Sequence, residues 1–243
     1  MIKQKILAII PARSGSKRIP NKNIKNFLGK PLLAYTVEQA LACKFINRVF
    51  IDTDSLKIAV IAKKYGAEAQ WLRPMSLADD KAKVVDSIIY HLNKLKKEQN
   101  YEPDYVMILQ VTSPLREVDD IKSCWQIMKK GGATTVLTVC PTQPKLYHLD
   151  YNNFLKLVNA SERAMNNAQA WSVNYILNGC VYIIKTDALL KEKIIITKKT
   201  KAVVCEKWRS VDLDTPEDWA LAELLYKNKR GIAKRIKQLH GNK

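Results

Sequence analysis

The sequence predicts a doubly wound α/β fold, in which helices cover both faces of a mostly parallel sheet. Two apolar runs, Ile6–Ile10 and Tyr105–Val111, have the length and composition of strands that are buried on both faces. Between them, Val84–Gln99 repeats its apolar residues at helical spacing. Strands joined by helices of this length imply parallel pairing through right-handed crossovers.

Element boundaries follow from changes of periodicity and from Gly and Pro at the breaks. The predicted strands are Ile6–Ala12, Asn47–Asp52, Ala67–Leu72, Tyr105–Val111, Thr134–Val139 and Asn178–Lys185. The predicted helices are Pro31–Cys43, Leu56–Tyr65, Val84–Gln99, Val118–Lys130 and Glu217–Tyr226. Residues of about 141–175 lose this periodicity and form either a floppy surface insertion or an ordered small lobe. The basic tail, about 227–243, is predicted to be mobile.

Composition is compatible with one main domain, since the chain has 243 residues and 47% hydrophobic content. The formal net charge is +18, which is also typical of a basic nucleic-acid-binding module. Such a module is the non-enzymatic alternative. Seven of the excess cations lie in the acid-free tail and the others are spread over helix-like segments. That distribution is typical of a solvated lysine-rich surface, so no nucleic-acid partner is expected.

The five cysteines are odd in number, widely spaced and without a C-x-x-C pair, so we predict small core residues rather than a disulfide framework or a zinc site. Nowhere do 18 uncharged apolar residues follow one another, and the N-terminus lacks the apolar core of a signal peptide. We therefore expect a cytoplasmic protein with no membrane partner.

The loop after the first strand contains more residues with a recognisable chemical role than any other stretch of the sequence. Arg13, Lys17, Arg18 and Lys22 place four cations within ten residues, separated by the small residues 14–16. Small residues let backbone N–H groups approach an anion, and long cationic side chains suit a polyphosphate. The glycine spacing of a P-loop or a dinucleotide fingerprint is absent from this loop. The alternative is a solvated basic loop after a core strand.

In open α/β sheets, ligands bind beyond the carboxyl ends of the strands. This rule places three segments along one rim of the sheet. They are the cationic loop after the first strand, Thr53-Asp54-Ser55 and Thr112-Ser113-Pro114. Gln110, Thr112 and Ser113 are neutral donors and acceptors that suit a polyhydroxylated sugar. Alternatively, Thr112 or Ser113 caps the following helix.

Asp212 and Asp214 form an acid pair near the end of the sequence. In a strand their side chains project to the same side, so both could face the loop that holds the phosphates. Paired carboxylates beside a triphosphate predict Mg²⁺, which takes one or two carboxylates together with phosphate and water oxygens. The alternative for Asp214 is an N-cap of the helix that begins near Pro216.

Six sequence blocks, in order, resemble the N-acylneuraminate (sialic acid) cytidylyltransferase family. They are PARSGSKRIPNKNIKNFLGKPLLAYTVEQA at 11–40, FIDTDS at 50–55, YGAEAQWLRP at 65–74, LQVTSPLR at 109–116, NGCVYI at 178–183 and SVDLDTPEDWALAE at 210–223. They span nearly the whole chain. The resemblance implies a Rossmann-like nucleotidyltransferase fold, CTP and an acidic sugar as substrates, and a homodimer in which the 141–175 lobe takes part.

The resemblance also implies roles for residues. Nucleotide contacts would be Ala12, Arg13, Ser16, Lys17, Lys22, Asn23, Arg73 and Ala82. Sugar contacts would be Gln110, Thr112, Ser113, Lys145, Asn178 and Tyr182. Arg13, Lys17 and Lys22 would stabilise the departing pyrophosphate, and Asp212 and Asp214 would hold the Mg²⁺ that activates the anomeric hydroxyl.

Two departures from the family pattern concern the sugar. Gln169-Ala170-Trp171-Ser172 lacks the proline and arginine that are common there, and Ile195 and Ile196 stand where the sialate branch often has aromatics.

The expected reaction is transfer of CMP from CTP to the anomeric hydroxyl of a nine-carbon 2-keto acid sugar, of the N-acylneuraminate or legionaminate type. Pseudaminic acid and the eight-carbon sugar Kdo are the alternative acceptors.

Overall fold

The computed structural model describes residues 4–79, 82–142, 147–157, 173–239 and 241. Within these ranges the strands are β1 (Ile6–Pro11), β2 (Asn26–Phe27), β3 (Lys30–Pro31), β4 (Arg48–Asp52), β5 (Tyr105–Ile108), β6 (Thr135–Thr142), β7 (Tyr147–Leu149), β8 (Leu155–Leu157), β9 (Asn174–Lys185) and β10 (Thr200–Val204). The helices are α1 (Leu32–Leu41), α2 (Leu56–Lys64), α3 (Val84–Gln99), α4 (Val118–Lys129), α5 (Thr186–Glu192) and α6 (Pro216–Leu239).

Six strands form the main sheet, in the order β10, β6, β9, β5, β1, β4. β1 pairs in parallel with β4 on one side and with β5 on the other, and β10 pairs in parallel with β6. Only β9 runs antiparallel to its neighbours within this sheet. The predicted doubly wound, mostly parallel sheet is confirmed. The direction of β9 was not predicted, because side-chain patterning does not encode strand direction.

The residues of β1 explain why helices cover both faces. Ile6, Ala8 and Ile10 pack into one buried cluster, together with residues of α1, α2 and α4. Leu7 and Ile9 pack into a second cluster with residues of α3 and α5. Successive side chains of a strand point to opposite faces, so a continuous apolar run needs a cover on each side.

The predicted strand Ala67–Leu72 is wrong: it reduces to a single parallel bridge between Phe50 and Glu68 at the sheet edge. β5 ends at Ile108, three residues before the predicted end, and the chain continues into the loop at the rim. β9 begins at Asn174, before the predicted Asn178, because its first residues extend the pairing with the end of β6.

The tail also differs from the prediction, because α6 continues without a break to Leu239. Its residues are mostly good helix formers, and Ile232 and Ile236 are half-buried, one turn apart. Gly231 costs about 1 kcal/mol relative to Ala within a helix, which is too little to end it.

Aromatic contacts attach the start of α6 to the first part of the chain. The ring of Phe27 lies edge-on to Tyr35 and to Trp219, with centroid distances of 5.4 Å in both cases. Tyr226 lies edge-on to Tyr35 at 5.2 Å. Such pairs add about 0.5–1.5 kcal/mol each beyond the area that they bury. The cluster therefore holds the segment before α6 against the loop after β1.

β7 and β8 form a separate antiparallel hairpin within the predicted lobe. Two aromatic side chains between its strands are exposed: Tyr151 is 95% exposed and Phe154 66%. The lobe thus has local order, but these aromatics do not bury themselves within the chain. Lys145 and Trp171, which the sequence analysis also assigned to the lobe, lie outside the described residues.

All five cysteines are buried, as predicted for small core residues. Across the described part of the chain, no helix combines the length and apolarity that crossing a membrane requires.

Candidate active site

The loop after β1 is braced from two sides. The backbone N–H of Ser14 donates to Oδ1 of Asp54 at 2.7 Å, and its hydroxyl donates to Oδ2 at 2.5 Å. From the other end of the loop, the buried Asn23 side chain donates to the carbonyl of Arg13 at 2.8 Å. Asp54 follows β4, so the neighbouring strand fixes the path of the loop. The sequence analysis placed Asp54 at the rim without recognising this role.

The cationic loop meets the acid pair in space, as the sequence predicts. Nζ of Lys22 donates to the carbonyl of Leu213 at 2.6 Å and lies 3.2 Å from Oδ1 of Asp214. Nη1 of Arg18 lies 3.3 Å from Oδ2 of the same carboxylate. The Lys22 side chain is only 13% exposed, so its contacts with Leu213 and Asp214 are shielded from bulk solvent more than most surface pairs.

The acid pair does not lie in a strand, which corrects the prediction. Ser210–Asp214 has an irregular backbone, in which the N–H of Leu213 donates to the carbonyl of Thr112 at 2.9 Å. This bond fastens the segment to the rim beyond β5. The proposed capping role of Asp214 is also wrong. Thr215 accepts from the N–H of Asp218, whose carboxylate accepts from the N–H of Thr215 at 2.8 Å. This reciprocal pair is a capping box, and it leaves Asp214 to face the cations.

The pKa of Asp212 is raised from its ordinary value. Burial raises the pKa of its carboxyl, and the charge of Asp214 raises it further, whereas a hydrogen bond from Thr112 and the charge of Lys22 oppose the rise. Two neighbouring carboxylates repel each other, and a cation between them would stabilise both. Within the described residues, no third Asp, Glu, His or Cys completes a metal-binding cluster with them. The donor set fits a hard divalent cation that takes its other ligands from phosphate and water.

These groups line a cavity of about 430 Å³ at the carboxyl ends of the parallel strands. Its walls contain the following predicted site residues: Arg13, Ser16, Lys17, Lys22, Asn23, Arg73, Gln110, Thr112, Tyr182, Asp212 and Asp214. The volume lies within the range of small-molecule sites, which is about 300–1,000 Å³. The structure therefore brings most of the predicted site into one place, although their individual roles stay predictions.

Four predicted site residues are not among those that line the cavity. Ala12 is buried and donates its backbone N–H to the carbonyl of Asp52 at 2.8 Å, and the N–H of Ala82 donates to Asp79 at 2.6 Å. Ser113 is fully buried. The side-chain amide of Asn178 bonds to other residues of the protein: it accepts from the hydroxyl of Thr138 at 2.7 Å and donates to that of Ser210 at 3.0 Å.

Neither Ser113 nor Asn178 is among the residues that line the cavity, and their roles as sugar contacts stay predictions. Asn178 instead ties β6 and β9 to the segment that carries the acid pair. Next to it, Gly179 has φ +70°, and a Cβ there would lie 2.5 Å from Oε1 of Gln110. A residue with a side chain would displace Gln110 from its position at the cavity.

Arg116 was missed by the sequence analysis, which quoted it only within the block LQVTSPLR. Arg116 is buried, and its guanidinium donates to the side chains of Thr36 and Gln39 and to the carbonyls of Gln110 and Cys180, at 2.7–3.0 Å. Burial lowers its pKa to about 10. Arg116 therefore holds the backbone on which Gln110 and Gly179 stand. A charged residue after a strand-ending turn gives no sequence signal for such burial.

We expect Arg116→Met to lower the free energy of unfolding by about 3 kcal/mol, because it leaves several buried acceptors without a donor. Urea denaturation followed by circular dichroism measures the change. Lys122→Met, which removes an exposed cation from α4, is the control and should stay within about 0.5 kcal/mol of the wild type. A loss of less than about 1 kcal/mol in Arg116→Met would contradict the scaffold role.

The cavity has two chemically different ends. The cationic loop follows β1, which lies next to the edge strand β4. Leu177 and Tyr182 belong to β9, on the other side of β5, and Ile195 and Ile196 lie next to them in the cavity wall. Because strands are about 4.8 Å apart, the two ends are separated by about 10 Å. One end suits a polyanion and the other an organic body with apolar groups.

A cationic loop and an acid pair facing one cavity, at the carboxyl edge of a doubly wound sheet, define a protein of the nucleotidyltransferase class. The chain belongs to the cytidylyltransferase family, whose model matches residues 7–233. The resemblance found in the sequence is thereby confirmed at the level of the family.

Individual relatives agree with this membership. The chain is 36% identical to CMP-N,N'-diacetyllegionaminic acid synthase of Legionella pneumophila over 228 residues, which cover 91% of this chain and 96% of that protein. It is 32% identical to pseudaminic acid cytidylyltransferase of Campylobacter jejuni over 227 residues, which cover 92% and 97%. Among solved structures, CMP:2-keto-3-deoxy-manno-octonic acid synthetase complexed with CTP has a TM-score of 0.69 at 17% identity, covering 93% of this chain and all of that one. The last similarity supports the fold.

Proposed function

We propose that this protein transfers CMP from CTP to the anomeric hydroxyl of a nine-carbon 2-keto acid sugar and releases pyrophosphate. The observation that carries the proposal is the contact between Lys22 and Asp214 at 3.2 Å, in the wall of a cavity that also contains Arg13, Lys17 and Asp212. Opposite charges there match a triphosphate together with a divalent cation. The names of the relatives, which are synthases and cytidylyltransferases of such sugars, agree with this reading.

The proposed chemistry is a single displacement at the α-phosphorus. A bond forms between the oxygen of the anomeric hydroxyl and the α-phosphorus, and the bond from that phosphorus to the bridging oxygen breaks. The bridging oxygen leaves with pyrophosphate, and the proton of the hydroxyl passes to solvent water. Arg13, Lys17 and Lys22 stabilise the charge that moves onto the leaving pyrophosphate. The walls of the cavity hold the hydroxyl in line with the α-phosphorus, so no covalent enzyme intermediate is needed.

We propose Mg²⁺ as the cofactor, held by Asp212 and Asp214. The raised pKa of Asp212, which burial and Asp214 cause, supports a cation at this point. When bound, Mg²⁺ supplies charge neutralisation at the phosphates and makes the sugar hydroxyl more acidic.

The apolar end of the cavity favours a sugar with methyl-bearing substituents. Leu177, Ile195 and Ile196 supply the apolar wall, while Gln110 and Thr112 supply neutral polar groups next to it. An acylamino or deoxy group would cover the apolar wall, whereas a hydroxyl at the same place would be desolvated without a partner. We therefore propose an acylated nonulosonic acid of the N-acylneuraminate or legionaminate type, with pseudaminic acid as the alternative.

A homodimer is part of the proposal. The hairpin and the residue before β9 expose apolar side chains: Leu149 is 62% exposed, Leu155 63% and Val173 61%. Exposed apolar groups concentrated in one insertion are typical of an interface. Light scattering in solution measures the oligomeric state.

Pyrophosphate release tests the function directly. We expect release with CTP, Mg²⁺ and an acylated nonulosonic acid, with kcat/KM at least about tenfold higher than for a sugar that carries hydroxyls in place of the acylamino groups. ATP, GTP and UTP at equal concentration serve as nucleotide controls. Absence of release with every keto-acid sugar of the panel would refute the proposed reaction, and equal rates with all of them would refute the role of the apolar wall.

A further inference from the structure

A buried cluster of polar side chains lies under the edge of the cavity, at the end of β4. Its centre is Asp52, whose side chain is fully buried. Oδ1 of Asp52 accepts from Nε of Arg73 at 2.8 Å, from Oγ of Ser87 at 2.7 Å and from Nε2 of His91 at 2.8 Å. Oδ2 accepts from Nη2 of Arg73, so the arginine pair is bidentate. A buried carboxylate with this many donors is fully satisfied.

The donors come from separate elements and fix Arg73 from several directions. Ser87 and His91 are one turn apart on α3, so both face Asp52 from the same side of that helix. The backbone N–H of Arg73 also donates to the carbonyl of Thr53 at 2.7 Å. Arg73 is only 6% exposed, yet it lines the cavity. Its guanidinium is therefore held in one orientation at the cavity wall.

One nitrogen of the Arg73 guanidinium, Nη1, can still donate a hydrogen bond. Nε and Nη2 are committed to Asp52, while Nη1 makes a long 3.5 Å bond to the carbonyl of Leu77. Nη1 thus retains capacity to donate. The charge of Arg73 is compensated by Asp52, unlike that of the cationic loop. An arginine in a neutral pair suits a neutral acceptor, such as a carbonyl oxygen, better than it suits a phosphate group.

We propose that Asp52, Ser87 and His91 form a positioning cluster that holds Nη1 of Arg73 toward a carbonyl oxygen of the pyrimidine base of CTP. This inference rests on the proposed function, because it assumes that CTP occupies the cavity. The cluster itself does not touch the nucleotide. It raises the affinity for CTP by fixing the orientation of Arg73 at the base of the nucleotide. The cationic loop binds the triphosphate.

Calorimetric titration without sugar tests the cluster, with CTP and inorganic tripolyphosphate as two separate probes. His91→Phe removes the donor and keeps a ring that can pack against Phe50, whose centroid lies 4.8 Å from that of His91. We expect it to raise the Kd for CTP about tenfold, which matches the loss of one charge-assisted hydrogen bond, and to leave the Kd for tripolyphosphate unchanged. His91→Gln, which keeps an N–H donor, should restore most of the CTP affinity.

Two further variants separate positioning from simple stability. Ser87→Ala removes one bond to Asp52 and should raise the Kd for CTP about threefold. Leu95→Ala opens a cavity in the buried face of the same helix and should lower the melting temperature without changing either Kd. Wild-type CTP affinity in both His91→Phe and Ser87→Ala would overturn the cluster, as would equal weakening of CTP and tripolyphosphate. Failure of the wild type to bind CTP would instead refute the proposed function itself.

Discussion

Asp212→Asn is expected to lower turnover at least about 100-fold without lowering the stability of the protein. Loss of a carboxylate that holds the metal removes stabilisation of the transition state worth about 3 kcal/mol or more. The stability of the folded protein, in contrast, is expected not to fall. Burial and the neighbouring Asp214 raise the pKa of Asp212, so the folded state favours the protonated, neutral form.

The sign of the pH dependence follows from that shift. A group whose pKa is raised by folding contributes stability at low pH, and this contribution is lost as the pH rises through the folded-state pKa, above the ordinary carboxyl value of about 4. At neutral pH the ionised Asp212 therefore costs stability in the absence of metal, and an uncharged asparagine removes that cost. Melting without Mg²⁺ should show Asp212→Asn at or above the wild-type temperature.

Initial rates of pyrophosphate release and thermal melting in EDTA measure the two effects. Asp119→Asn, which removes an exposed acid from α4, is the matched control and should change neither. A rate close to that of the wild type in Asp212→Asn would exclude this residue from metal binding. A large drop in melting temperature without Mg²⁺ would show that Asp212 is mainly structural.

Lys22→Met is also expected to have a large effect, reducing kcat/KM for CTP about 1,000-fold. Lys22 serves two purposes in this structure. It joins the acid-bearing segment to the loop through Leu213 and Asp214, and its charge faces the position proposed for the phosphates. Each lost charge-assisted contact is worth about 1.5–3 kcal/mol, so two together account for the expected loss.

Lys22→Arg separates the two purposes, because arginine keeps the charge but presents it in a planar fork of different reach. We expect it to recover part of the affinity for CTP and little of the turnover. Lys63→Met, on the exposed face of α2, controls for the loss of one positive charge from a strongly basic protein. An equal effect of Lys63→Met would indicate general electrostatic attraction of CTP rather than a specific contact.

Local patterning predicted the elements that bury apolar runs. α3 has the predicted bounds of Val84–Gln99, and β1 was predicted to within a residue, because each pattern is long and unambiguous. The prediction failed where contacts between distant parts of the chain decide the conformation. The segment 210–214 has the alternation of a strand, yet it is irregular, because bonds to Thr112 and Lys22 replace the pairing of a sheet.

The cationic loop, the acid pair and the membership in the cytidylyltransferase family were accessible from the sequence alone, because small residues, clustered cations and paired acids are chemically distinctive in a linear string. The tertiary structure decided which polar groups reach the cavity and which remain behind it. Ser113 lies in the loop after β5, as Gln110 and Thr112 do, and Asn178 lies within β9, but only Gln110 and Thr112 line the cavity. Burial and hydrogen-bond partners depend on how strands and helices pack, and neither Arg116 nor the Asp52 cluster has a local signal that distinguishes it from a surface charge.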